Sequence, residues 1–319
     1  MKRDKLTQAL YDTLLEISRS GRSELTPTIS YTAGIIYPDA FRIARKYGFR
    51  EVDVLNSLVK LGVLDKSPYD SFVTCPKCGS FRLLSKLQCP RCGSKNLRRT
   101  TLVSHISCGY TGPLEDMATS EGYVCKKCGK PLGKEGEGYI VLGRLFTCEE
   151  CGARFDSPLP AYKCTSCGLE FDYRNANYVV VYKYRVNEKV LKQKAKQLLV
   201  ELVERAARAE GLIARSPAQA PGKSGYSHPV DIEVTDGKER IYLDVVHDSA
   251  TAMSEALAAI GKGSDMAANL HVILAPSDVV KKTLRGGENF KAMSYDSAEE
   301  AYSKLKQLFR EYFKGGKRR

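Results

Sequence analysis

The chain has 319 residues, 43% of them hydrophobic and 27% charged. That length exceeds one ordinary core, so several domains are expected, and the composition excludes wholesale disorder. No run of about 18 apolar residues occurs, and MKRDKLTQALYDTLLEIS at the N-terminus has no apolar block before a small-residue cleavage site. The sequence therefore predicts a cytoplasmic protein with no membrane partner. Fifty Lys plus Arg against 37 Asp plus Glu leave +13, which favours a polyanionic partner.

Residues 1–72 read as helices. Leu6, Leu10, Leu14 and Ile17 recur at helical spacing up to Ser20-Gly21, and two shorter periodic stretches follow, Tyr37 to Tyr47 and Arg50 to Leu61. Gly48 and Gly62 close these, and Val63 to Val73 looks extended. Helices followed by an extended wing suggest a winged helix-turn-helix-like domain, with Arg50–Leu61 as recognition helix and Val52, Leu55, Leu58 and Val59 packed inward. Its net charge is only +2, and Glu51 and Asp53 would repel phosphates.

All eleven cysteines lie in residues 73–186. Cys75/Cys78, Cys89/Cys92, Cys125/Cys128, Cys148/Cys151 and Cys164/Cys167 are CxxC pairs, and His105 with Cys108 makes HxxC. Without a secretory signal, metal binding is a better reading than disulfides. Twelve N/S donors supply three closed tetrahedral sets, so three structural zinc ions are expected and no open catalytic position. The simplest grouping is sequential. A first ribbon at 73–100 would use Cys75, Cys78, Cys89 and Cys92. A two-site domain at 101–186 would use His105, Cys108, Cys125 and Cys128, then Cys148, Cys151, Cys164 and Cys167. Spacing alone leaves crossed pairing open.

No Asp or Glu occurs from Val73 to Leu114, whereas Lys77, Arg82, Lys86, Arg91, Lys95, Arg98 and Arg99 do. These seven are candidate phosphate contacts, because each docked cation releases a condensed counterion. Balancing thiolate charge is the competing explanation.

The motifs SHISCGYTGPLEDM, YVCKKCGKPL, FTCEECGARFDSP and KCTSCGLEFDY, from Leu102 to about Tyr184, resemble the thaumarchaeal output domain, a zinc-binding module of archaeal proteins often fused to sensory or regulatory domains. The resemblance carries His105, Cys108, Cys125, Cys128, Cys148, Cys151, Cys164 and Cys167 over as zinc ligands. It implies regulation or scaffolding, not a reaction.

Residues 187–319 lack cysteine and alternate between periods. Lys189 to Leu212 is a long helix with Val190, Lys194, Leu198, Leu202 and Ala206 in one stripe. Strands at His228–Val234 and Ile241–His247, a helix at Ala250–Ile260, strands at Leu270–Ala275 and Phe290–Tyr295, and a helix at Ala298–Phe313 predict an α/β domain. Gly315 to Arg319 reads as a basic tail. Gly222-Lys223-Ser224 lacks the upstream glycine and strand of a P-loop. Asp236-Gly237 predicts a two-residue hairpin loop, making Asp231 and Asp244 diagonal neighbours on one face, where they can hold Mg²⁺.

This order and HPVD…LDV resemble the restriction-endonuclease-like fold, whose motif is PD…(D/E)xK. The resemblance implies catalytic roles for Asp231 and Asp244, but the lysine position is Val246, so a lysine would have to reach in from a helix, for instance Lys262. The expected whole is a multidomain α+β protein: winged helix, zinc ribbons and a nuclease-like α/β domain. Its expected function is zinc-dependent binding of nucleic acid, DNA foremost, in transcription regulation, with the nuclease-like domain inactive. The alternatives are a Mg²⁺-dependent nuclease and a scaffold binding proteins of the transcription or translation machinery.

Overall fold

The computed structural model describes residues 2–30, 34–247, 252–266, 270–283 and 290–315. They fall into two compact units: Met1–Tyr69 with Val181–Arg319, and Asp70–Val180.

In the first unit, α1 (Lys2–Ser20) buries Leu10, Tyr11, Leu14 and Ile17, as the spacing predicts. Helices α2 (Pro38–Lys46) and α3 (Glu51–Lys60) end where Gly48 and Gly62 adopt φ of 80° and 73°. There Phe49 N donates to Ala44 O and Val63 N to Leu58 O, the wrapped-back bonds that a left-handed glycine permits. The buried face of α3 is Val54, Leu55 and Leu58, whereas Val52 is 39% exposed. Val52, expected inward, lies about 200° round the helix from Val54 and faces out. The extended stretch after α3 is strand Leu64–Thr74. Its partner is Asn177–Val186, from the far end of the cysteine-bearing stretch, which on its other edge pairs with Glu24–Leu25. A wing would pair neighbouring strands; this one pairs distant ones.

Helix α4 (Glu188–Ala209) starts at Asn187, whose side chain accepts from Val190 N, and buries Leu191, Ala195, Leu198, Leu202 and Ala206. Its stripe is thus displaced by one residue at the N-terminal end from the expected Val190 and Lys194. A five-stranded sheet follows in the order Ile213–Arg215, Ile232–Thr235, Arg240–Val245, Leu270–Pro276, Lys291–Tyr295. The first two junctions are antiparallel and the last two parallel. Helices α5 (Ala252–Asp265) and α6 (Ser277–Thr283) lie between the parallel strands in the chain, and α7 (Ala298–Gly315) ends the fold. The central strands are apolar almost throughout, as strands covered on both faces require. The expected start of α5 at Ala250, and residues 316–319 of the basic tail, lie outside the described residues.

The N-terminal helices pack on these α/β elements. Tyr47 Oη donates to Asp12 Oδ2 at 2.6 Å, Asp12 Oδ1 accepts from Ala298 N at 2.6 Å, and the Tyr11 and Tyr295 hydroxyls bond to each other. Burial pushes the Asp12 carboxyl up and the Tyr11 hydroxyl well above its usual range.

The second unit is built of small sheets. Strand Leu159–Cys164 pairs with both Leu83–Gln88 and Glu170–Asp172. Strand Leu97–His105 pairs with Tyr139–Cys148 and Thr111–Pro113. The late strands therefore fold back on the early ones. A small apolar core of Val103, Met117 and Leu132 underlies the second sheet.

Candidate functional site

In the Asp70–Val180 unit the fold-back fixes the pairing of the cysteine knuckles. Cys75 and Cys78 meet Cys164 and Cys167; Cys89 and Cys92 meet Cys148 and Cys151; His105 and Cys108 meet Cys125 and Cys128. The middle group is the expected one. The other two nest around it, because Arg82 O accepts from Thr165 N at 3.0 Å and Glu149 N donates to Asn96 O at 3.1 Å, each locking an early knuckle loop to a late one. The sequential grouping of Cys75/Cys78 with Cys89/Cys92, and of Cys148/Cys151 with Cys164/Cys167, is thereby corrected.

Each group of four can hold one metal ion, and its geometry suits zinc. Cross-knuckle Sγ–Sγ separations are 3.6 Å for Cys75–Cys167, Cys78–Cys164, Cys92–Cys148 and Cys108–Cys125, and 3.7 Å for Cys89–Cys151. A tetrahedron with Zn–S of about 2.3 Å has an edge of about 3.8 Å, whereas a disulfide brings sulfurs to about 2.05 Å. His105 Nδ1 lies 3.3 Å from Cys108 Sγ and 3.4 Å from Cys128 Sγ, the matching edge for one nitrogen donor. The first cysteine of each CxxC is the buried one, and the knuckle's own N–H groups turn towards it. Burial opposes the Cys125 thiolate, but N–H groups of Cys128 and Lys127 outweigh it and bring the thiol down to about 6. Cys164 is brought to about 6 in the same way by Cys167 and Ser166. All three groups close with four protein donors, the arrangement of structural rather than hydrolytic sites.

The seven expected phosphate contacts lie in this unit. Lys77, Arg82, Lys95, Arg91 and Arg99 are exposed, and Lys86 and Arg98 half-buried. Arg98 pairs with Glu149 Oε1 at 2.7 Å and Asp116 Oδ1 at 3.4 Å, while Lys86 and Lys95 pair with Glu170. Among the described residues Lys77, Arg82, Arg91 and Arg99 stand in no ion pair.

In the other unit, the hairpin carrying Asp231 and Asp244 differs in register from expectation. Thr235 pairs with Arg240 and Ile232 with Leu243. The loop has four residues, Asp236–Glu239, because Asp236 Oδ1 accepts from both Lys238 N and Glu239 N at 2.9 Å and draws the turn closed around itself. Asp231 falls just before strand Ile232–Thr235, outside the paired register, and Asp244 follows Leu243, the partner of Ile232, so the diagonal placement expected from a two-residue loop does not occur. Asp231 Oδ1 lies 2.9 Å from Lys196 Nζ, and its Oδ2 accepts from Val245 N at 2.9 Å. Asp244 is buried; its Oδ2 bonds His271 Nε2 at 3.0 Å and its Oδ1 lies 3.3 Å from Lys262 Nζ. Burial opposes the Asp244 anion, but His271 and Lys262 outweigh it and hold the carboxyl below its usual range.

Two histidines bond carboxylates here, His271 with Asp244 and His228 Nε2 with Asp265 Oδ2 at 2.7 Å. The Gly222-Lys223-Ser224 loop is no phosphate cradle. Its Gly222, Lys223 and Ser224 N–H groups go to Tyr226 O, Asp265 O and Asp265 Oδ1.

These features define a mixed α+β protein with three candidate metal centres and an α/β segment that carries Asp231 and Asp244. The chain belongs to the thaumarchaeal output domain 1 family, whose profile matches residues 2–186. The match takes in the N-terminal helices and the first two knuckles, beyond the 102–184 stretch that carried the resemblance. No curated protein matches the chain. Five chains of known structure match, among them the crystal structure of a protein of unknown function, AF1548. It is 13% identical, the alignment covers 34% of this chain and 66% of that one, just short of two thirds, and the TM-score of 0.25 carries no argument. No described helix is long and apolar enough to cross a membrane.

Proposed function

We propose that this protein binds nucleic acid, DNA foremost, through a surface held rigid by three structural zinc ions, and that it acts in regulation without turnover. The observation that carries the reading is the position of the acid-free stretch. Its cations fall on knuckles and strands braced by the metal groups, with Lys77, Arg82, Arg91 and Arg99 exposed and unneutralised. A rigid surface of uncompensated positive charge gains counterion-release free energy from a polyanion at little ordering cost.

The C-terminal segment is read as a restriction-endonuclease-like fold kept for binding. Its order of helix, antiparallel strands, helix and parallel strand agrees with that fold. Lys196 and Lys262 lend Asp231 and Asp244 the positive charge a divalent cation would bring, and all four carboxylate oxygens already have partners.

The test is titration of labelled duplex and single-stranded DNA with the zinc-loaded chain at several salt concentrations. Binding whose logarithm falls linearly with that of salt is expected. Salt-indifferent binding, or none, would favour a protein scaffold. One observation favours the nuclease reading: Lys262 Nζ, 3.3 Å from Asp244 Oδ1, supplies from α5 the amine absent at Val246. DNA cleavage with Mg²⁺ or Mn²⁺ that Asp244→Ala abolishes would establish it.

A further inference from the structure

Three ammonium groups converge on one carboxylate in the zinc-ribbon unit. Lys86 Nζ lies 3.1 Å from Glu170 Oε1, Lys163 Nζ lies 3.7 Å from the same oxygen, and Lys95 Nζ bonds Oε2. The lysines come from three segments. Lys86 is on strand Leu83–Gln88 and Lys163 on Leu159–Cys164, while Lys95 follows the Cys92 knuckle. Lys163 stands directly opposite Glu170 in the antiparallel register. It also precedes Cys164, a ligand of one metal group, and Lys95 lies three residues after Cys92, a ligand of another. The cluster is thus placed by two metal groups and one sheet.

One carboxylate balances one ammonium. The other two add uncompensated like charge at close range, an arrangement that costs free energy unless a further anion relieves it. Lys95 first and Lys86 second hold the Glu170 carboxyl down at about 2, so it stays ionised. All four side chains keep between 34% and 46% of their surface accessible, so an incoming anion can reach them. On the same sheet face Leu84, opposite Lys163 in the register, is 52% exposed and offers an apolar contact beside the charge.

We infer that Lys86, Lys95 and Lys163 form a phosphate-binding site for the nucleic-acid backbone, with Glu170 as the anion that holds the three lysines together until a phosphate joins them. The inference rests on the nucleic-acid reading above and adds Lys163, which lies far along the chain from the acid-free stretch but pairs with it in the sheet, and the opposing part of Glu170.

The experiment measures binding of a labelled single-stranded oligonucleotide, its duplex and inorganic sulfate by the full zinc-loaded chain and two variants, with metal content confirming the fold of each. Lys163→Ala is expected to weaken oligonucleotide binding about two- to fivefold, the size of an exposed charge contact. It should also lower the salt slope by about 0.7–0.9. Glu170→Gln, nearly the same shape, is expected to tighten binding by a similar factor. Wild-type binding that neither variant moves overturns this inference and leaves the reading above intact. Absence of any wild-type binding overturns both. A Glu170→Gln chain that gains sulfate but not oligonucleotide overturns the nucleic-acid assignment in favour of a small anion.

Discussion

The sulfurs of Cys78 and Cys164 stand 3.6 Å apart, although 86 residues separate them in the chain. The nested knuckles tie the two ends of the ribbon region together, because the loop between these ends contains the whole of the other two metal groups.

Cys164→Ser should therefore act over a distance. Metal content should fall from three equivalents to two, and limited proteolysis should open the chain near both Cys75 and Cys164. Cys128→Ser, in the locally closed group, should release one equivalent and expose only the 105–139 segment. Since zinc binding in such modules is worth on the order of 10–16 kcal/mol, these losses should also appear as lowered thermal midpoints. Cleavage confined to the Cys164 side would refute the pairing of Cys75/Cys78 with Cys164/Cys167.

Gly138→Ala probes the same unit at its tightest backbone contact. A Cβ there would sit 1.7 Å from the Leu132 carbonyl oxygen and 2.8 Å from its carbon, so backbone must move. Gly138 O also accepts from Ile106 N beside His105. The variant should lose at least about 1–3 kcal/mol, as overpacked positions do, and bind metal at the His105 group less tightly. An unaltered melting curve would show that the Leu132–Gly138 contact is looser than it stands here.

Much of this was legible in the sequence for identifiable reasons. The donor set closes at twelve, Gly48 and Gly62 mark helix ends, and the 2.0 and 3.6 periods separate strands from helices in the C-terminal segment. What stayed hidden depended on long-range pairing. Two CxxC pairs look alike whichever partner they take, and only the fold-back of Leu159–Cys164 onto Leu83–Gln88 selects Cys164 for Cys78. The hairpin loop differed by two residues because the Asp236 side chain bonds the turn's own N–H groups, a capping role that competes with the two-residue turn. Lys262, which the sequence offered as a lysine reaching in from a helix, does reach Asp244, whereas Lys196 beside Asp231 comes from α4, which no strand motif includes.

Asp244→Ala tests the carboxylate pair without reference to catalysis. Removing the carboxylate leaves the buried His271 Nε2 without its acceptor and Lys262 with Pro229 O alone, 2.8 Å away. A destabilisation of about 1–3 kcal/mol by denaturant titration is expected, the cost of orphaning buried polar groups. Asp231→Ala should cost less, since it deprives one buried N–H, that of Val245, of its acceptor while Lys196, 38% exposed, returns to water. Equal effects would contradict the difference in burial between the two sites.

Asp265 gives a pH dependence with a definite sign. Its Oδ1 accepts from Ser224 N at 2.9 Å, and its Oδ2 bonds the Ser224 hydroxyl and His228 Nε2. Ser224 first and His228 second bring the carboxyl down to about 2 from its ordinary 3.8. Because the folded value lies below the unfolded one, the stability Asp265 contributes is fully present above pH 3.8 and is lost as pH falls towards 2. The Gly222–Tyr226 loop, which Asp265 holds against α5, should open in that window. Hydrogen exchange of the Lys223, Ser224 and Gly225 amides reads this locally, apart from acid release of metal in the other unit. Protection should be constant above pH 4 and should fall towards pH 2 faster than intrinsic exchange accounts for. In Asp265→Asn the loop should be unprotected at every pH. A variant that retained the wild-type acid profile would show that the loop is held by its own backbone bonds and not by this carboxylate.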